Sequence, residues 1–302
     1  MVKLQKIIDA LDEEFQVQSY GTDPSFSRFL PHCYDSIGYD WKNNFEYDFT
    51  QLFNGCMLSG SEEVQTIFLA VFPTEIVLER FISESQEGDL LFMHHPLLME
   101  CGDPRGSWGR GFLPIKEKYL SQIKVKNLSV YTCHNPLDCH TTLGTNSAIA
   151  KALNCEIQNP VNWSNKYLSL GNIETISTDS LISKLKTLFD IPYVDFEGIN
   201  KEKLNKIAIV AGCGDVIDWM QEAEKNGVQA YITGEVHCHI DNEYGHRKFK
   251  KMQEYIATTS MSLIGVSHAA SEYLVHKTLV KDWFEQNFHI KTILLPQEKW
   301  WL

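Results

Sequence analysis

A chain of 302 residues, 43% hydrophobic and 22% charged, has the composition of a globular protein and excludes a disordered one. A formal net charge of -12, from 27 basic and 39 acidic residues with no basic stripe, argues against a nucleic-acid partner and suits cations. No apolar run is long enough to span a bilayer and no targeting segment is visible, so a cytoplasmic protein with no membrane partner is expected.

Eight cysteines without a CxxC pair then read mostly as small core residues in a reducing compartment. The N-terminal 15 residues place Leu4, Ile7, Ile8, Leu11 and Phe15 at helical spacing. Residues 21–49, with Pro24, Pro31 and Gly38, read as loop or irregular structure. Strands and helices then alternate. Strands are expected at 64–72, 89–93 and 128–133, and helices at 74–82, 112–123 and 145–153, with Thr74 as a cap.

A turn-rich stretch at 159–165 introduces a second set. Helices are expected at 178–189, 216–226 and 268–287, and strands at 206–211, 229–233 and 261–266. This alternation predicts an α/β protein of two lobes, 1–160 and 161–302, with mostly parallel sheets flanked by helices. Open α/β sheets carry their sites beyond the carboxyl ends of strands. Three expected strands end in metal-ligand chemistry: His94-His95-Pro96, His134 with Asp138, and His268 with Glu272.

Adjacent strand residues point to opposite faces, so His94 and His95 cannot share one ion from within a regular strand, but the turn that Pro96 favours lets the two imidazoles diverge and serve two neighbouring ions. The bland alternative is one buried and one surface histidine. His134 and Asp138 are four apart beside Pro136, and a turn of helical pitch brings them to one side. His268 and Glu272 open a helix whose apolar face is Leu274, Val275, Leu279, Trp283 and Phe284, so they lie one turn apart on one face. Four imidazoles and two carboxylates exceed a closed four-coordinate zinc and suit two divalent ions with open positions, Zn, Fe, Mn, Co or Ni.

The segments GDLLFMHHPL (88–97), VYTCHNPLD (130–138), YITGEV (231–236) and HAASE (268–272) resemble, in this order, the NIF-three-like family, known as GTP cyclohydrolase I type 2 homologues. Weaker support comes from Asn54-Gly55 and Gly212-Cys213-Gly214-Asp215, and the resemblance spans about residue 54 to the C-terminus. It implies a dinuclear metal site between the lobes with His94, His95, Asp138, His268 and Glu272 as ligands, Glu272 bridging, and His134 close to the metals. It also implies a homohexamer. The family's Thr and Asn after His134 are replaced by Asn135 and Pro136, and residues 16–53 diverge from its entry segment.

Glu235, at a strand end, matches a family acidic position and is the candidate catalytic base or a water-orienting group, with a structural carboxylate as the alternative. His237 and His239 would share a face in a strand, and only His239 has a family counterpart. Gly212–Asp215 reads as a tight strand-to-helix turn in preference to a phosphate cradle, and Trp300-Trp301 as a packed pair. The reading predicts a metal-dependent hydrolase acting on a small molecule, a nucleotide among the candidates, through attack of activated water on a cyclic amide, amidine or phosphoester. The alternative is a non-catalytic protein for metal storage or delivery, or a regulatory scaffold.

Overall fold

The computed structural model describes residues 1–100 and 102–300 and folds them into two compact units, each with one main mixed sheet. The first comprises 1–100, 112–140 and 276–297, and the second 101–111, 141–275 and 298–302. The chain therefore crosses between units more than once, and the expected cut near residue 160 falls inside the second unit.

The first unit's sheet runs in the order Lys291–Leu294, Thr66–Ala70, Leu90–Met93, Ser129–Thr132, Gly55–Leu58. All neighbours are parallel except the last pair. Leu90–Met93 and Ser129–Thr132 are buried at every residue, as central parallel strands covered on both faces must be. Helix Glu75–Glu84 begins as expected, with the Thr74 hydroxyl accepting from the Val77 amide at 3.2 Å. Expected helix 112–123 is in fact a strand, Gly111–Pro114, followed by helix Glu117–Val125.

The largest departure lies at 17–52, which is helical: Val17–Tyr20, Phe26–Ser36, Trp41–Asn44 and Tyr47–Leu52. Phe26, Leu30 and Tyr34 recur every fourth residue and are buried, together with Trp41, Phe45, Phe49 and Phe53. Burial of this aromatic face outweighs the helix-breaking tendency of Pro31, which sits inside Phe26–Ser36.

The second unit's sheet runs Asp195–Gly198, Ser262–Gly265, Ala230–Thr233, Leu204–Val210, Ser169–Ile176, Glu156–Ile157. Only its three central strands are mutually parallel, so this sheet is more mixed than expected. Its core gathers Leu170, Ala208, Tyr231 and Leu263 under Met220 and Met252. The helix from His268 is α to Val275, π over His276–Val280 and α again over Lys281–Phe288. Trp300 stacks on Tyr193 with ring centroids 4.9 Å apart, while Trp301 lies outside the described residues. No disulfide joins the described cysteines; Cys33, Cys133 and Cys238 are buried and Cys213 is exposed. Among the described residues no helix is long and apolar enough to cross a membrane.

Candidate metal centre

In the first unit the neighbouring parallel strands Leu90–Met93 and Ser129–Thr132 end side by side, and their carboxyl ends deliver the histidines. His94 and His95 sit where strand pairing stops before Pro96, and both are buried. His134 precedes the short helix Asn135–Asp138, which carries Asp138 back toward it. The rings of His94, His95 and His134 lie within 5.0 Å of one another, centroid to centroid, and a ligand atom from each can reach a common ion. The two histidines of the tandem do not diverge to core and surface; they share this cluster.

Hydrogen bonds set which nitrogen of each ring faces inward. His94 Nδ1 donates to the Cys133 carbonyl at 2.9 Å, so its Nε2 lone pair faces Asp138 Oδ1 at 3.4 Å. His134 Nδ1 donates to Asp23 Oδ2 at 2.7 Å, and its Nε2 lies 3.9 Å from Asp138 Oδ2. His95 is packed by Phe72, stacked at 4.3 Å, and by the edge of Phe26. Asp23 and Asn54 were not among the expected site residues. Asp23 is fully buried, and its other oxygen accepts from the Ser25 and Phe26 amides at 2.9 Å. Burial opposes its ionisation, but His134 and these amides outweigh that and hold the carboxyl down at about 2. Asn54 accepts from the His134 amide and donates to Asn135, fixing the backbone that carries the imidazole.

In the second unit the three parallel strands end at Val210, Thr233 and Gly265, and Gly212, Glu235 and His268 follow within three residues of those ends. Ser267 adopts φ 78°, a left-handed conformation rare for a non-glycine residue, and its hydroxyl accepts from the Ala270 amide. That sharp turn starts the helix with His268 as its first residue. Glu272, one turn on, is buried and places Oε1 3.0 Å from His268 Nε2. Glu235 Oε1 meets the other nitrogen, Nδ1, at 2.6 Å. The candidate base thus contacts the imidazole directly, in the carboxylate–histidine arrangement that orients metal-ligating rings.

Gly212–Asp215 is a tight turn. The Gly212 amide donates to Ser271 Oγ and the Gly214 amide to Thr233 Oγ1, so both are committed within the protein. Gly212 has φ 67°, and a Cβ there would lie 2.1 Å from Glu272 Oε1 and 3.1 Å from His268 Nε2. Its missing side chain leaves the cradle in which those two atoms sit. Gly212→Ala is therefore expected to destabilise the protein by about 1–3 kcal/mol and to displace Glu272. Urea melts of the metal-free variant, paired with a metal titration, check both effects.

His237 and His239 lie in a loop after Ala230–Thr233, not in a strand, and belong to none of the groups among the described residues that could hold a metal. His237 Nε2 contacts Glu197 at 3.4 Å, and His239 packs against Trp108 and Phe249. With Asp195, Glu235, His268 and Trp300 they line a small cavity of the second unit. Burial pushes the Asp195 carboxyl up to about 6, against the attraction of His239. A carboxyl raised in the folded state binds more protons there than in the unfolded chain, so stability falls as pH rises from about 4 to about 6. Asp195→Asn removes that dependence, and a gain of about 1–2 kcal/mol at pH 7, discounted for partial exposure, is expected in thermal melts across pH.

These buried clusters are consistent with metal binding, and one feature recurs in them. His94 Nε2 and His268 Nε2 each present a lone pair to a carboxylate oxygen because the far nitrogen is committed as a donor. Two electron-pair donors at 3.0–3.4 Å need a cation or a proton to bridge them.

The family model for Duf34/NIF3 (NGG1p interacting factor 3) matches residues 48–299. A "GTP cyclohydrolase 1 type 2 homolog" of Pyrococcus horikoshii is 26% identical over 251 residues, covering 80% of this chain and 88% of the relative. One from Archaeoglobus fulgidus is 28% identical over 192 residues, covering 60% and 69%. Among solved structures, TTHA1606 from Thermus thermophilus superposes with a TM-score of 0.63 at 19% identity, covering 98% of each chain, which shows a shared fold. With the model spanning most of its length, the chain belongs to the Duf34/NIF3 family.

Proposed function

We propose that this chain is a metal-dependent hydrolase that holds a pair of divalent ions through His94, His95, His134, Asp138, His268 and Glu272. What supports the reading most is the lone-pair arrangement: His94 and His268 are locked by their outer nitrogens, and each aims its inner nitrogen at a carboxylate oxygen. Mixed imidazole and carboxylate donors suit Zn, Fe, Mn, Co or Ni. Bound ions supply Lewis acidity, which activates water and polarises a carbonyl, amidine or phosphoryl group.

The protein's own groups do the remaining work. Asp23 and the Cys133 carbonyl hold His134 and His94 in the required tautomer. Glu235 does the same for His268 and is a positioning residue. It also lines the cavity beside His268, from which it can receive the proton released by an attacking water. The relatives' names point to a cyclic amide or amidine such as a nucleotide base, with a phosphoester as the other class of substrate.

The test is elemental analysis of the purified protein, followed by a substrate panel. About two transition-metal ions per chain are expected. Glu235→Gln should retain metal but lower turnover by about 10–100-fold. A protein that binds and exchanges metal quickly yet turns over nothing in a broad panel would instead be a metal-delivery protein, and one that binds no metal would end both readings.

A further inference from the structure

His268 has two chemically different sides. Its Nε2 faces Glu272, a buried oxygen ligand of the kind proposed above. Its Nδ1 faces Glu235 Oε1 at 2.6 Å and the Cys213 sulfur at 3.4 Å. Cys213 Sγ, a Glu235 oxygen and a His268 nitrogen all lie within 4.8 Å of one another, close enough to share one ion. Of the other described cysteines, Cys33 and Cys56 are engaged by backbone carbonyls, while the thiol of Cys213 is exposed and paired with an imidazole.

The placement of Cys213 is built in. Gly212 and Gly214, its neighbours on each side, are tied to Ser271 and Thr233, and the Gly212 carbonyl accepts from the Glu235 amide at 3.1 Å. The same hydrogen bonds thus fix the backbone of both Cys213 and Glu235. We propose that Cys213, Glu235 and the Nδ1 of His268 form a second, thiolate-bearing cation position in the second unit, selective for soft divalent ions. Three donors, one each of sulfur, nitrogen and oxygen, leave a fourth tetrahedral position open. Thiolate favours zinc or cadmium over manganese or magnesium. Binding breaks the Cys213 S–H bond, forms a sulfur–metal bond and releases that proton to solvent. The His268 proton leaves Nδ1 for Nε2, where Glu272 Oε1 accepts its hydrogen bond, so that Nδ1 forms the nitrogen–metal bond. His268 serves the proposed metal pair only in the opposite tautomer, so the two are alternatives at this ring, and the position requires none of the other five ligands.

The test uses the full chain, stripped of metal and kept reduced, titrated with cadmium as a thiophilic probe. Thiolate-to-cadmium charge-transfer absorption and the rate of Cys213 reaction with a disulfide reagent are followed together. Wild type should develop the band while Cys213 reactivity falls by about tenfold or more, because the lone pair of a ligated thiolate is engaged. Cys213→Ser should lack the band, and Glu235→Gln should shift it to about 10–100-fold higher cadmium. Wild type binding cadmium without the band, or Cys213→Ser retaining it, would overturn the assignment. Manganese content in the same proteins reports the pair separately. A lost manganese signal with an intact, Cys213-dependent cadmium band sinks the hydrolase reading and leaves this position standing, while the reverse pattern sinks this position alone.

Discussion

Replacing Glu272 by alanine should remove most of the metal that the proposed pair would hold. Glu272 is buried at the start of a helix, one turn from His268, and its Oε1 sits 3.0 Å from the imidazole Nε2. The helix fixes this spacing, so no other carboxylate on that element can take its place. In the proposed pair Glu272 would bridge both ions, and its loss would leave a coordination gap that water fills poorly in a buried site. Elemental analysis should give about two ions per wild-type chain and well under one in Glu272→Ala. Thermal melts supply a second readout. Metal at 100 times its dissociation constant should stabilise wild type by about 2–3 kcal/mol and the variant hardly at all. The metal-free variant should melt no lower than metal-free wild type, because a buried carboxylate crowded against an imidazole lone pair is no asset without its cation. Glu272→Gln keeps the volume and separates lost charge from lost packing. Retention of two ions at wild-type affinity in either variant would remove Glu272 from the ligand set.

The part of this centre that was legible in the sequence is the part encoded locally. Histidines at strand ends are visible because a buried strand reads as a short run of apolar or β-favouring residues: Leu90–Met93 is apolar throughout, and Ser129–Thr132 carries Val130 and Tyr131 between two small hydroxyl residues. His268 and Glu272 are visible because helical spacing is a sequence property. The partners that orient the ligands were not legible, because hydrogen bonds between distant segments leave no periodic trace. Asp23 reaches His134 across 111 positions, and Asn54 reaches it across 80. The helices over 17–52 depart from the loop expected there because proline and glycine act only as local breakers, whereas the four-residue recurrence of Phe26, Leu30 and Tyr34 builds a buried face. Discontinuous units are likewise invisible to an alternation of strands and helices, which says nothing about which sheet a late strand such as Lys291–Leu294 will join.

That missed carboxylate carries the second large effect. Asp23 performs two tasks with two oxygens: Oδ1 accepts from the Ser25 and Phe26 amides at the start of helix Phe26–Ser36, and Oδ2 accepts from His134 Nδ1. Asp23→Asn keeps an acceptor for the helix amides but removes the charge that orients and polarises His134. Metal affinity should fall by about 10–100-fold with a small change in metal-free stability. Asp23→Ala loses both tasks and leaves His134 and two amides without their partner in a buried setting, for a cost of about 3–5 kcal/mol. The acid limb gives an independent check. A carboxyl held at about 2 contributes stability that is fully present above its unfolded value near 4 and is lost as pH falls toward 2. Metal-free wild type should therefore lose about 2–3 kcal/mol over that window through Asp23, a loss missing from Asp23→Asn. Phe26 couples the two tasks: its amide is capped by Asp23 while its ring packs edge-on against His134, with centroids 4.6 Å apart. A helix start that frays in Asp23→Ala thus loosens the wall behind the imidazole as well as its hydrogen bond. The alanine variant should lose more metal affinity than the asparagine variant, and equal losses would show that the cap has no part in holding the site.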